Sequence, residues 1–213
     1  MTVVTNHQLF SHTYLAQLEA DSSHDEAAAH IPQGLRDWMP FRDTSSLQSL
    51  IESWVGPVLD FLDFHHAPVD DAPHIQLLHA HRGDEAPVGL CYVVPPDQDG
   101  SAGSPRGLDD TTKGRHSMAQ AALALRARDL RWGMLTDGDH WRLVDAQSLR
   151  RYEHYVEVDL EKLARSDDPT PLRLFYTLFH RGAFTPTRPS PCEGKDREGV
   201  GLDRLVAASE RAT

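Results

Sequence analysis

The amino-acid sequence predicts an α/β domain: a mixed β-sheet with flanking helices and one well-specified antiparallel hairpin. Stretches with apolar residues at helical spacing alternate with short runs rich in Val, Ile, Leu and Trp, so both periods are present in one chain. Asp137-Gly138 stands between two such runs, 132–135 and 141–144, and an Asp-Gly pair in that setting is a strong short-range hairpin signal. The chain has 213 residues, 39% hydrophobic and 25% charged, enough for one domain with a sizeable core.

In order along the chain, residues 8–20 carry Leu9, Phe10, Tyr14, Leu15 and Leu18 at helical spacing, and the polar, small residues 21–29 read as a loop. Order resumes near Trp38. Asp43-Thr44-Ser45 offers N-caps to a helix reaching about Phe64, with Leu47, Leu50, Ile51, Trp54, Val58, Leu59 and Leu62 on one face. Pro57 removes a backbone donor inside that helix, which predicts a kink or break near Gly56. From Pro73 the period changes: residues 74–81 and 88–94 read as strands joined through Arg82-Gly83-Asp84-Glu85, and Pro95-Pro96 ends the second. Residues 97–110 are a Gly, Ser, Pro and Asp-rich loop.

The Ala- and Leu-rich stretch 115–129 is helical and delivers the chain into the hairpin. Trp132 and Trp141 bring large aromatic area to it, which is core chemistry before it is ligand chemistry. Residues 154–158 alternate as a strand, 160–164 make a turn or two of helix, and 171–179 form an apolar helix with Pro at its start. Residues 185–199 are proline-rich and charged, a linker, and residues 202–212 begin a further helix. The division expected is therefore a domain over residues 1–184 and a linker with the start of a helix over 185–213.

A net charge of -11 argues against simple nucleic-acid binding, which clustered Lys and Arg drive by releasing counterions. Only the middle of the chain offers a basic patch: Lys113, Arg115, Arg126, Arg128, Arg131 and Arg142, with Arg150-Arg151 beyond. The competing reading is the solvated face of an amphipathic helix. The two cysteines, Cys91 in an apolar run and Cys192 in the Pro-rich tail, fit neither a disulfide framework nor a CxxC metal site. No stretch approaches a membrane span and the first ten residues lack a secretory pattern, so a cytoplasmic protein without a membrane partner is expected.

Thirteen histidines are many, and His79 and His81 share one strand face as two metal ligands would, with His65, His66 and Cys91 able to lie near. His74 falls on the opposite face by parity, no third ligand has a recognisable spacing, and surface or capped histidines explain the pattern better. Acidic pairs at Asp60 and Asp63, Asp70-Asp71, Asp84-Glu85 and Asp109-Asp110 are accounted for by helix and turn solvation. If a metal site were built from such pairs, Asp109 and Asp110 with Lys113 nearby would be the set. GxSxG, a Gly-rich phosphate loop and HExxH are absent from the sequence.

Two strings together resemble a known family: Leu130 to Asp145, LRWGMLTDGDHWRLVD, and the helix Phe175-Tyr176-Thr177-Leu178-Phe179 ending at Gly182-Ala183-Phe184. From about Leu9 to Phe184 the chain resembles the N-terminal region of single-chain type IIG restriction-modification enzymes, where a PD-(D/E)xK nuclease domain precedes an adenine-specific DNA methyltransferase. The resemblance implies a restriction-endonuclease-like mixed sheet. It also implies chemistry that needs an Asp on one strand and an acidic-x-Lys on the next, because two carboxylates hold a divalent metal and the Lys helps activate water.

This sequence departs from that pattern at each position. Pro73-His74-Ile75-Gln76-Leu77-Leu78 stands where the family has Pro-Asp, and Leu90-Cys91-Tyr92-Val93-Val94 where it has Glu-x-Lys, so His74, Tyr92 and Val94 occupy the three slots. Leu108-Asp109 resembles a Leu-Asp pair that follows the motif. Gln120 falls in the Gln slot of a QxxxY helix, with Ala124 in the Tyr slot.

The resemblance thus implies a nuclease-like domain with no catalytic residue, no metal and no cofactor of its own. Its DNA contacts would be Lys113, Arg115, Gln120, Arg126 and Arg128, weak and salt-dependent. Its partners would be DNA and the methyltransferase part of a parent protein, which uses S-adenosylmethionine, or another defence subunit. Two alternatives stay open: a magnesium-dependent endonuclease with relocated ligands at Asp109, Asp110 and Lys113, and a protein-binding module without DNA activity.

Overall fold

A computed structural model describes residues 2–21, 35–37, 46–95, 108, 117–147, 154–185 and 201–212. Outside them lie the loop expected at 21–29 beyond its first residue, Trp38, the caps Asp43-Thr44-Ser45, the loop at 97–110 except Leu108, Arg150-Arg151, Cys192 and the linker beyond Thr185. Asp109, Asp110, Lys113 and Arg115 also lie outside.

The fold is mixed α/β, as the two hydrophobic periods require. The strands are β1 (Val4–His7), β2 (His65–Val69), β3 (Ala72–His79), β4 (Gly89–Val93), β5 (Trp132–Thr136), β6 (His140–Asp145) and β7 (Tyr155–Asp159). They form one seven-stranded sheet in the order β1-β7-β6-β5-β4-β3-β2. β4 and β5 are parallel and the other neighbours antiparallel. The helices are α1 (His12–Asp21), α2 (Leu47–Leu50, Ile51–Val55 and Gly56–Phe61, abutting), α3 (Ser117–Arg126), α4 (Leu160–Arg165), α5 (Thr170–Phe179), α6 (Arg181–Phe184) and α7 (Gly201–Arg211).

β4 and β5 are buried at every position, which is why they read as unbroken apolar runs rather than alternating ones. On one face Cys91, Val93, Met134, Trp141 and Val156 pack under α1, α2 and α4 to α7 in the larger core. On the other, Leu90, Tyr92, Leu135 and Val144 pack under α3 through Met118, Ala121 and Leu125.

The Pro57 break takes a particular form. The middle segment of α2 is a π-helix in which the Gly56 N–H donates to Ile51 O, a wider turn absorbed immediately before the proline. A Cβ at Gly56 would stand 2.9 Å from that same carbonyl, so the bulge demands glycine. α2 also ends earlier than the 43–64 periodicity implied: Asp63 adopts a left-handed φ of 65° and turns the chain into β2.

β1 and β2 are the elements the sequence did not announce. Both are edge strands, and His-His-Ala-Pro-Val carries neither an apolar run nor alternation; its proline is tolerated because only one side of an edge strand is paired. The hairpin itself is as expected, with Trp132 paired to Asp145 and Thr136 to Trp141. Gly138 takes φ 102° in its loop, and the Gly138 carbonyl accepts the Trp54 Nε1–H at 2.6 Å, satisfying a fully buried indole.

The helix expected at 202–212 is present as α7 and packs onto the larger core through the fully buried Leu202. No helix among the described residues is long and apolar enough to cross a membrane.

Candidate functional site

Cross-strand partners share a face of the sheet, so the register defines a row on the α3 side: Ile75, Tyr92, Leu135, Arg142, Glu157 and Thr5. The row changes character midway. Its apolar half lies under α3 and contains Tyr92, one of the positions singled out in the sequence. Its charged half lies on β6 and β7.

In the apolar half, Tyr92 is buried, and its O–H donates to Gln120 Oε1 of α3 at 2.6 Å. The His74 ring stands edge-on to it with centroids 4.9 Å apart. Burial lowers the His74 pKa, which favours neutral imidazole. Val94 is half-buried in the same cluster, and its backbone N–H donates to Thr136 O at 2.7 Å. The structure therefore brings His74, Tyr92, Val94 and Gln120 together, with Ala124 packed beside them. What they offer is a neutral ring, a phenol, an amide and an aliphatic side chain, none of which replaces the carboxylates that a hard divalent cation needs. Among the described residues no group of three or more His, Cys, Asp or Glu side chains could hold a metal ion.

Of the charged half, the sequence offered Arg142 as a member of a basic patch and Asp137 as a turn residue, but not their partners His140, Glu157 and Asp159. Arg142, only 3% exposed, donates from Nε to Glu157 Oε2 at 2.6 Å, and its guanidinium lies 4.2 Å from the centre of the Tyr155 ring. Two residues along the same face, His140 Nδ1 sits 3.4 Å from Asp137 Oδ2 and His140 Nε2 sits 3.9 Å from Asp159 Oδ2. The hydrogen bond to Asp137 is the main cause that raises the His140 pKa to about 9; burial opposes it, and the charges of Asp137, Glu157 and Asp159 add to it. Burial pushes Asp159 up, but side-chain and backbone hydrogen bonds from Lys162 outweigh it and leave the carboxyl below its usual range. Asp159 also caps α4, accepting the Lys162 N–H at 2.9 Å. Asp137 does the same for the hairpin loop, accepting the Asp139 N–H at 3.0 Å and the His140 N–H at 2.8 Å. The signal was present in Asp137-Gly138-Asp139-His140, where the Asp next to the glycine is a turn-capping residue as well as a turn former.

Each described basic residue of the middle segment has a partner within the chain, though Arg126 and Arg128 are only half-buried. Arg126 Nε donates to Ala146 O at 3.1 Å and Arg128 to Ala124 O at 3.1 Å. Arg131 makes two bonds to Asp145, at 3.2 and 3.0 Å, and pairs with Asp203 at 2.6 Å. Gln120, expected as a DNA contact, turns its amide oxygen to Tyr92.

The histidines disperse among separate partners. His65 is the cross-strand partner of His79, His66 contacts Gln76 at 3.3 Å and Asp60 at 3.6 Å, and His81 Nδ1 lies 3.3 Å from Arg181. His79 Nδ1 is buried without a hydrogen-bond partner. Cys91 is fully buried in the larger core, and burial drives its thiol pKa far upward. Of the acidic pairs, Asp63 accepts Arg181 Nε at 2.8 Å and Asp84 accepts the His81 N–H at 2.8 Å, while Asp70 and Asp71 fall in the β2–β3 turn.

Comparison of the chain with family models, curated proteins and solved structures returns no match.

Proposed function

We propose that this is a nuclease-like domain of a restriction-modification or phage-defence DNA methyltransferase, one that does no metal chemistry and serves to dock or orient the catalytic parts of the machine. One observation supports the reading: His74, Tyr92 and Gln120, which the resemblance would set in the family's slots, converge from β3, β4 and α3 and make a phenol-to-amide bond and an edge-on ring contact rather than presenting carboxylates. The pairing of Arg131 and Arg142 with carboxylates of the chain itself favours docking over DNA contact as its task.

The test is a plasmid assay with magnesium or manganese, run beside DNA retention at low salt. The expected result is intact plasmid and weak, strongly salt-dependent retention or none, since the net charge opposes binding globally. Metal-dependent cutting that disappears in Asp109→Ala or Asp110→Ala would overturn the reading in favour of a relocated site. Tight retention reduced by Arg126→Ala with Arg128→Ala would move the domain's task from docking to DNA contact.

A further inference from the structure

α7 is held differently from the helices around it. It lies against α1 and α6, with Leu202 fully buried and Leu205 and Val206 partly buried on the larger core. At its amino end the Gly201 N–H donates to Thr185 O at 3.3 Å. In its first turn Asp203 Oδ1 accepts the Trp132 Nε1–H at 2.8 Å and pairs with the Arg131 guanidinium at 2.6 Å. Both donors also have partners outside α7: Asp145 holds Arg131 by two bonds, and the guanidinium lies 4.9 Å from the centre of the Trp132 ring. At the far end Ser209 Oγ accepts the Ser11 N–H.

An aliphatic slot with a cation and an indole N–H at one end is a receptor for a helix with a particular start. A carboxylate in the first turn answers the two donors and the helix dipole together, and the apolar residue before it enters the slot. A helix of 11 residues is marginal alone in water, so α7 is helical because it is seated. It contributes no strand to the sheet, so its opening does not require the sheet's hydrogen bonds to break. Residues 186–200, which precede α7, are rich in proline and charge in sequence.

We propose that α7 is a releasable strap, and that its seat is a docking groove for an amphipathic helix bearing a carboxylate in the first turn, which α7 occupies in cis. Because α7 belongs to the same chain it competes intramolecularly for the seat, so a helix in trans enters only when the Asp203 catch is weakened. This would make α7 an autoinhibitory contact at the domain's partner surface, and it holds whether or not the fold descends from a nuclease.

The experiment uses the full chain, Asp203→Lys, and a labelled peptide of residues 200–213. In the variant, amide protection at 201–211 is expected to fall by roughly tenfold to hundredfold, the range for losing a charge-assisted bond, while protection in β5 and β6 is unchanged. The native-sequence peptide should bind the variant at least about tenfold more tightly than the unaltered chain, and a peptide carrying the same Lys should not. Loss of protection in β5 and β6 together with 201–211 would make α7 part of one cooperative unit and overturn the proposal. Unchanged protection at 201–211 would also overturn it, as would a released groove that ignores the peptide. Asp203→Asn, which keeps the side-chain size, gives the same readouts if the Lys variant fails to fold.

Discussion

On the side of the sheet covered by α1, α2 and α4 to α7, the buried groups are overwhelmingly apolar, and indole N–H groups such as that of Trp54 end on one hairpin carbonyl. On the α3 side a single cross-strand row passes from Ile75 and Tyr92 to Arg142 and Glu157. One side is sealed mainly by apolar area; the other joins a smaller apolar cluster to a stretch of paired polar groups. Burial of apolar surface is non-directional and tolerant, whereas each polar pair fails completely when one member is lost. The α3 side is thus where single substitutions should reveal specific chemistry, and the opposite side is where they should simply cost stability.

The largest effect belongs to the apolar side. Trp141→Ala removes a fully buried indole in contact with Phe175, at centroid distance 6.4 Å, and should cost about 3–5 kcal/mol in urea or thermal unfolding. A loss below about 1 kcal/mol would mean that this layer collapses around the gap, contrary to a close-packed core. Next comes the ion pair. Arg142→Ala strands Glu157 against the sheet and should cost about 3 kcal/mol, while Arg142→Met with Glu157→Leu should recover most of it, because the two charges go together. If the double variant is no better than the single, the pair is not what holds that half of the row.

How much of this contrast was legible in the sequence follows from the same physics. The apolar side announces itself through period: α2, α5 and the Trp132 and Trp141 strands were readable because area burial writes long, regular patterns. β1 and β2 were not, since edge strands bury little and His65–Val69 has no pattern to read. At the site, His74, Tyr92 and Gln120 were singled out through the resemblance of short strings alone, and their side chains already spoke against a cation. The ion-paired half could not be found this way. Arg142 in Trp141-Arg142-Leu143 and Glu157 in Val156-Glu157-Val158 look like ordinary outward residues of alternating strands, and only the register between β6 and β7 makes them partners.

A third prediction separates a charged pair from a neutral one on the α3 side. The His140 pKa rises from 6.5 to about 9 on folding, so the charged form is the one the fold favours. The stabilisation is fully present below the unfolded pKa near 6.5 and is lost as the pH climbs through about 9. Because the ring is 32% exposed, solvent screening reduces the effect to about 1–2 kcal/mol. Urea midpoints at pH 6 and pH 10 should differ more for the unaltered protein than for His140→Ala; equal pH dependence in both would remove the Asp137-His140-Asp159 chain from the comparison.

The smallest expected effect tests the neutral pair. Tyr92→Phe keeps the ring against His74 and deletes the hydroxyl that Gln120 Oε1 accepts at 2.6 Å. An intramolecular hydrogen bond between neutral groups contributes about 1 kcal/mol net, so unfolding midpoints should fall by a corresponding small amount. Tyr92→Phe with Gln120→Leu should then be nearly neutral, because both polar partners leave together and the cluster around Met118 and Leu135 is apolar. That recovery is the mark of a bond serving the packing of α3 on β4. If Tyr92→Phe instead altered DNA retention while leaving the unfolding midpoint unchanged, Tyr92 and Gln120 would be contact residues, and the apolar half of the row would have to be read as a working surface.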